Sequence, residues 1–202
     1  MDKPSTRVVD AFIDLRSPYS YLAIGPARAL ARQRGAHVNW WPFITDFRAA
    51  YGGEVEQRSA RDVAKVKYLY MDCRRLAELQ GLVIRSTTKL WDASLGSQAF
   101  LLAKSKNRLW EFLEPMLAAF WRREFDLESP ESLQTALAAA GIAASEWRSY
   151  LTDRGEPELQ AALSHGDRMG VFGAPTFVCD GELFWGGDRL NMLDDKLRQL
   201  PI

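Results

Sequence analysis

Ser17 and Pro18 stand where a run of β-formers gives way to a helical pattern. Val8, Val9, Ala11, Phe12, Ile13 and Leu15 read as a strand, whereas Tyr21, Leu22, Ile24, Leu30 and Ala31 recur at helical spacing. Serine is a favoured N-cap, and proline suits the first helical position, where an N–H has no partner to lose. The pair therefore predicts Ser17 at the mouth of a helix. Free backbone N–H groups and the positive end of the dipole would there face an anion such as a thiolate or carboxylate. The same two residues also make an ordinary cap, and this stretch alone leaves both readings open.

Other reactive residues are sparse. Cys73 and Cys179 belong to no CxxC pair and read as two free thiols, with Cys179 buried in a strand. His37 and His165 are the two histidines, and no spacing argues for a zinc site or a Ser-His-Asp triad.

The elements that must position Ser17 follow from the rest of the pattern. Gly35 ends the first helix, and His37–Phe43 reads as a second strand parallel to the first, making a βαβ unit. Gly52-Gly53 marks a loop, and from about Val55 to Gln160 no stretch reads as a strand. Val63, Val66, Tyr70, Cys73, Leu76 and Leu79 form one apolar helical face. Leu95, Ala99, Leu102 and Ala103 form another, and Phe112, Met116, Ala119 and Phe120 continue beyond Asn107. Ser129-Pro130 repeats the helix-start signal, Gly141 stops that helix, and Glu158–Met169 fits a further one. Thr176–Cys179 and Glu182–Trp185 then flank Asp180-Gly181, a two-residue hairpin signal. Gly186-Gly187 ends the strand, Asp188 reads as the cap of a last helix, and Leu190, Leu193 and Leu197 supply its buried side. This order predicts an α/β chain. A thioredoxin-like βαβ…ββα core spans residues 1–46 and 160–202, and an all-helical domain is inserted at 47–159.

Composition narrows the function classes. The 202 residues carry 26 Lys plus Arg and 26 Asp plus Glu, and no long basic run, so nucleic acid and anionic membrane surfaces are not the expected partners. No apolar run reaches the ~18 residues of a membrane span, and the first residues lack the apolar core of a signal peptide. The expected compartment is the cytoplasm.

Asp14-x-x-Ser17-Pro18-Tyr19-Ser20-Tyr21-Leu22 is followed far along the chain by Gly173-Ala174-Pro175-Thr176-Phe177 and by Asp180-Gly181-x-x-x-Trp185-Gly186-x-Asp188-Arg189. Together these resemble the 2-hydroxychromene-2-carboxylate isomerases, whose relatives are the kappa-class glutathione transferases and DsbA-type oxidoreductases. The resemblance covers nearly the whole chain. It implies a glutathione site in which Ser17 is catalytic and stabilises the glutathione thiolate, with Pro18 and Tyr19 beside it. It further implies a cis bond before Pro175, with the Ala174 backbone holding the tripeptide as an added strand does. Gly187 and Asp188 would take the γ-glutamyl end, and Lys65 the glycyl carboxylate or the substrate. No metal is implied. A homodimer acting on a small aromatic substrate is expected. Two positions depart from the pattern. Gly53 stands where many relatives carry asparagine, and Arg16 where many carry a small or apolar residue; Arg16 either sets charge near the pocket or lies on the surface, and the surface is expected.

The implied chemistry uses a borrowed nucleophile. A thiol of pKa near ~8.5 is mostly protonated at neutral pH, and one unit of depression needs about 1.4 kcal/mol, within reach of a helix mouth and a hydroxyl donor. Addition of the thiolate to the conjugated substrate turns a double bond into a rotatable single bond; rotation and thiolate loss give the trans alkene. A kappa-like transferase, in which the conjugate leaves, is the competing reading. A non-catalytic thioredoxin-like module using the Ala174-Pro175 edge is a third, and would be indifferent to added glutathione. Ser17 and Ser20 at both positions of the CxxC-like motif remove disulfide exchange.

Overall fold

A computed structural model describes residues 7–50 and 58–201; Gly52 and Gly53 lie outside them. The chain divides into two compact units, one made of the residues up to Phe43 together with those from Glu156 onward, the other of Ile44–Gly155.

The first unit is built on a four-stranded sheet of order β2-β1-β3-β4. Strand β1 (Val8–Ile13) runs parallel to β2 (His37–Pro42), with Val8 opposite His37. The crossover that a parallel pair requires is α1 (Pro18–Arg34), which ends at Gly35 in the left-handed conformation at φ 60°. On its other side β1 pairs antiparallel with β3 (Thr176–Cys179), which pairs antiparallel with β4 (Glu182–Trp185). Asp180 and Gly181 both have positive φ, 52° and 75°, the geometry of the two-residue hairpin turn that matches strand twist. Val9, Ala11, Phe12 and Ile13 are all buried, as expected of a central strand covered on both faces. Helix α8 (Gly155–Arg168) lies on the Phe12 side, where an added Cβ at Gly166 would touch the Phe12 ring at 3.4 Å. It starts three residues before the helix that periodicity predicts.

The last helix, α9 (Leu190–Gln199), is fastened to α1 by a two-pronged ion pair between Arg34 and Asp194. That guanidinium holds the Asp194 carboxyl down at about 2. A depressed carboxylate contributes stability above its unfolded pKa and loses it as pH falls through the folded one. Asp194→Asn is therefore expected to lower the thermal midpoint at pH 7, with the gap to wild type narrowing as pH falls from about 4 toward 2. Thermal melts across that range check it.

The second unit contains α2 (Phe47–Ala50), α3 (Ala60–Leu79), α4 (Ser94–Ser105), α5 (Leu109–Trp121), α6 (Pro130–Ala139) and α7 (Ala144–Asp153), and no strand among its described residues. Its core gathers Phe100, Phe112, Leu113, Trp121, Leu133 and Trp147, each nearly inaccessible. Ser129 caps α6 by accepting from Ser132 N at 3.1 Å, and Gly141 stops it at φ 84°. Helix α3 departs from expectation. Of its apolar stripe only Cys73 is buried, Ala77 being its other buried residue, while Val63, Leu76 and Leu79 are exposed. No helix among the described residues is long and apolar enough to cross a membrane.

Candidate active site

The chain turns sharply after β1. Ser17 N donates to Asp14 O at 3.0 Å, and Asp14 N donates to Ser20 Oγ at 3.2 Å, so the last residues of the strand and the first of α1 are laced together. Ser17 caps α1: its extended backbone (φ −87°, ψ 116°) sets Oγ to accept from Ser20 N at 3.2 Å, with Pro18 next in the helix. The helix mouth is thus less open than sequence suggests, because Pro18 has no N–H and the Ser17 and Ser20 N–H groups are engaged.

Arg16 is not a surface residue. Its side chain is 11% exposed and forms a fork onto the fully buried Asp14 carboxylate: Nη2 donates to Oδ2 at 2.8 Å, and Nε and the backbone N to Oδ1 at 3.0 and 2.9 Å. A buried carboxylate needs such a partner, and the turn after β1 brings these two residues, two apart, into contact, which a helix would not.

Opposite Ser17 lies the loop before β3. The Ala174–Pro175 bond is cis, and the Ser17 hydroxyl donates to Ala174 O at 3.3 Å. The loop is held at both ends: Thr176 Oγ1 donates to Gly173 O at 2.6 Å, and Gly186 N to Pro175 O at 2.9 Å. Ala174 is half-buried, and among the described residues nothing accepts from its N–H. The Ser17 hydroxyl has one hydrogen, directed at Ala174 O. A thiolate docked beside them would take that hydrogen and leave the Ala174 backbone open to a strand-like ligand.

Gly186 (φ 106°) turns the chain from β4 into a short 3₁₀ segment, Gly187–Arg189. A Cβ at Gly187 would meet Ala23 Cβ at 3.2 Å, so the backbone runs close along α1 here. Asp188 does not cap α9 as sequence predicts. It lies inside the 3₁₀ turn with its carboxylate accepting from Arg189 Nη1 at 2.6 Å, and the residue at the cap, Arg189, makes no side-chain cap bond.

The first unit thus contains Ser17, Pro18, Tyr19, Ala174, Pro175, Gly187 and Asp188, with the direct bond running between Ser17 and Ala174. Lys65 belongs to the other unit, where Nζ donates to Ala50 O at 3.2 Å. Gly53 lies outside the described residues. Sequence reasoning missed Asp14 and Ser20 as the lacing of the turn, although the Asp-x-x-Ser spacing carries it. It also gave no role to His165, whose ring packs on Trp41 (centroids 4.7 Å) with Nε2 3.7 Å from Asp10 Oδ1; nothing local in the sequence joins residues so distant. Cys73 and Cys179 are both free and buried, and burial pushes the Cys179 thiol up, so it stays protonated at neutral pH. Among the described residues no cluster of His, Cys, Asp or Glu could hold a metal.

Residues 8–198 match the DSBA-like thioredoxin domain family. A 2-hydroxychromene-2-carboxylate isomerase of Sphingobium xenophagum is 25% identical over 193 residues, covering 95% of this chain and 98% of its own. Human glutathione S-transferase kappa 1 is 26% identical over 218 residues, covering 94% and 90%. The solved structure of a 2-hydroxychromene-2-carboxylate isomerase superposes with a TM-score of 0.78 at 24% identity over 95% of each chain.

Proposed function

We propose, from the premise that this chain belongs to the DsbA-like thioredoxin domain family, that it is a glutathione-dependent cis–trans isomerase of aromatic compounds like 2-hydroxychromene-2-carboxylate. The observation that carries this reading is the Ser17 hydroxyl at the mouth of α1, bonded to the carbonyl before a cis-proline, with no thiol in the turn. A thioredoxin-type site without its own sulfur can do thiol chemistry only with a borrowed one, and the curated relatives named above are an isomerase and a glutathione transferase.

The residues present fit glutathione. Ala174 offers an unpaired N–H and a carbonyl to the cysteinyl backbone, as an added strand requires. Gly187 and Asp188 offer a closely held backbone and an exposed carboxylate to the γ-glutamyl ammonium, and Pro18 and Tyr19 shape the helix mouth. When bound, the tripeptide supplies a sulfur nucleophile that is returned unchanged. Ser17 turns its hydrogen from Ala174 O to that sulfur and favours the charged form; the α1 dipole adds to the effect. The Arg16–Asp14 fork keeps Ser17 in place and brings no net charge of its own.

We infer the same assembly and compartment as for the family resemblance, a homodimer in the cytoplasm. The kappa-like transferase reading uses the same groups and differs in the fate of the product. The test is a spectrophotometric isomerisation assay with 2-hydroxychromene-2-carboxylate, with and without glutathione, and with product analysis. Turnover that needs glutathione but leaves it unconsumed is expected. A stable conjugate would favour the transferase, and no turnover with or without glutathione would leave a binding module.

A further inference from the structure

We propose that Phe172 and Trp185 form the aromatic wall that receives the planar, conjugated part of the substrate. The proposal rests on the glutathione-site reading above and extends it to the second ligand. Both rings are on the outside: Phe172 is 66% and Trp185 55% exposed, and no other aromatic residue of the described first unit is exposed to that degree. Single exposed aromatics need no explanation, but these two touch in an edge-to-face contact at 5.0 Å between centroids.

Their position is specific. Phe172 lies two residues before Ala174, a span of at most ~7 Å of extended chain. Trp185 faces Thr176 across the β3–β4 ladder and precedes Gly186, whose N–H holds Pro175 O. The indole lies over the loop: a Cβ at Gly173 would stand 3.0 Å from Trp185 Nε1, so glycine is what lets the ring sit there. Both rings are therefore mounted on the two segments that flank the Ala174 backbone, and are held before any ligand arrives. An electrophile must come within bonding distance of a sulfur kept at Ser17 and Ala174, which puts its conjugated body within reach of these faces. Small-molecule sites have this composition, with aromatic walls and few polar groups. The occupant is accordingly a planar unsaturated compound, stacked by its π-face, and the function proposed above makes it an acid.

Two measurements test this on the full chain. The first uses trans-cinnamate, an unreactive planar conjugated acid, as a quencher of indole fluorescence. The difference between wild type and Trp185→Phe isolates the Trp185 signal. Saturable quenching in that difference is expected, weakened at least tenfold in Phe172→Ala. The second compares Phe172→Ala and Trp185→Ala with wild type for binding of S-methylglutathione and for KM with 2-hydroxychromene-2-carboxylate. Binding of the tripeptide should stay within twofold and KM should rise at least tenfold. Trp185→Phe should keep most of the wild-type KM. If wild type fails to bind S-methylglutathione, the function proposed above fails, while the cinnamate titration still decides the wall. No saturable Trp185 quenching, or variants with unchanged KM, would overturn the wall. So would a drop in oligomer mass in Phe172→Ala with unchanged KM, since that would make the rings a contact between subunits. Because Trp185→Ala removes the indole that covers Gly173, Phe172→Ala is the deciding variant if Trp185→Ala fails to fold.

Discussion

Ser17→Ala is expected to lower glutathione-dependent kcat/KM by about 10²–10³-fold, equivalent to about 2.7–4 kcal/mol, the usual loss when one donor to a developing anion is removed. The same substitution deletes the N-cap of α1, which costs folding about 1 kcal/mol and moves the midpoint of a chain this size by roughly 2–4 °C. The two roles of one hydroxyl are thus separated by magnitude: a large catalytic loss against a small thermal one. The hydroxyl also donates to Ala174 O, so its removal frees that carbonyl. Binding of the tripeptide should therefore fall much less than turnover. Measurements of kcat/KM, thermal midpoint and the ultraviolet absorbance of bound thiolate decide the matter. If activity falls only as far as the stability change explains and the thiolate signal persists, Ser17 is a cap and nothing more.

Arg16→Ala should cost stability on a different scale, about 3–5 kcal/mol, because it strands the fully buried Asp14 carboxylate. The midpoint should fall by roughly 10 °C or more. Activity should fall as well, since Asp14 O and N are the groups that fix Ser17 N and Ser20 Oγ. Replacing both partners, Asp14→Leu with Arg16→Met, should be less damaging than either single change, as buried ion pairs exchanged for apolar residues commonly are. Urea melts of the three variants test the point. Single variants within 1 kcal/mol of wild type would show that the pair is solvated and that Ser17 is held by the backbone alone.

The comparison of these two neighbours shows how far the chain can be read unaided. Ser17-Pro18, Gly35, Ser129-Pro130 and Asp180-Gly181 announce caps and turns because their chemistry is local, and each stands where its residues predict. Arg16 gives no such signal. Its partner is two residues back, a spacing that brings no side chains together in a helix, and puts them on one face in a strand only without a turn. The α3 stripe misleads for a related reason: periodicity identifies a helix and its apolar side, but says nothing of what covers it, and Leu79 remains 84% exposed. Asp188 was readable as a cap from its place before a helix, yet the Gly186 backbone adds a 3₁₀ turn first and moves the cap to Arg189. The site resolves along the same line. Ser17 and Ala174 meet because β1 and β3 are neighbours in the sheet, a fact of topology that the hairpin and the βαβ unit imply only together.

The guanidinium of Arg7 donates to Leu200 O through Nε and Nη2, at 3.0 and 2.8 Å, and to Arg34 O through Nη1 at 2.7 Å. The same unit draws its central strand from residues 8–13 and that strand's second neighbour from 176–179. During synthesis on the ribosome, the first strand leaves the exit tunnel long before its partner is translated. Until then β1 has β2 on one side and an unpaired edge on the other, whereas every residue of Ile44–Gly155 has already been made. The order of translation therefore lets the inserted helices complete their own core first, and Arg7 can close on Leu200 only after residue 200 has itself left the tunnel.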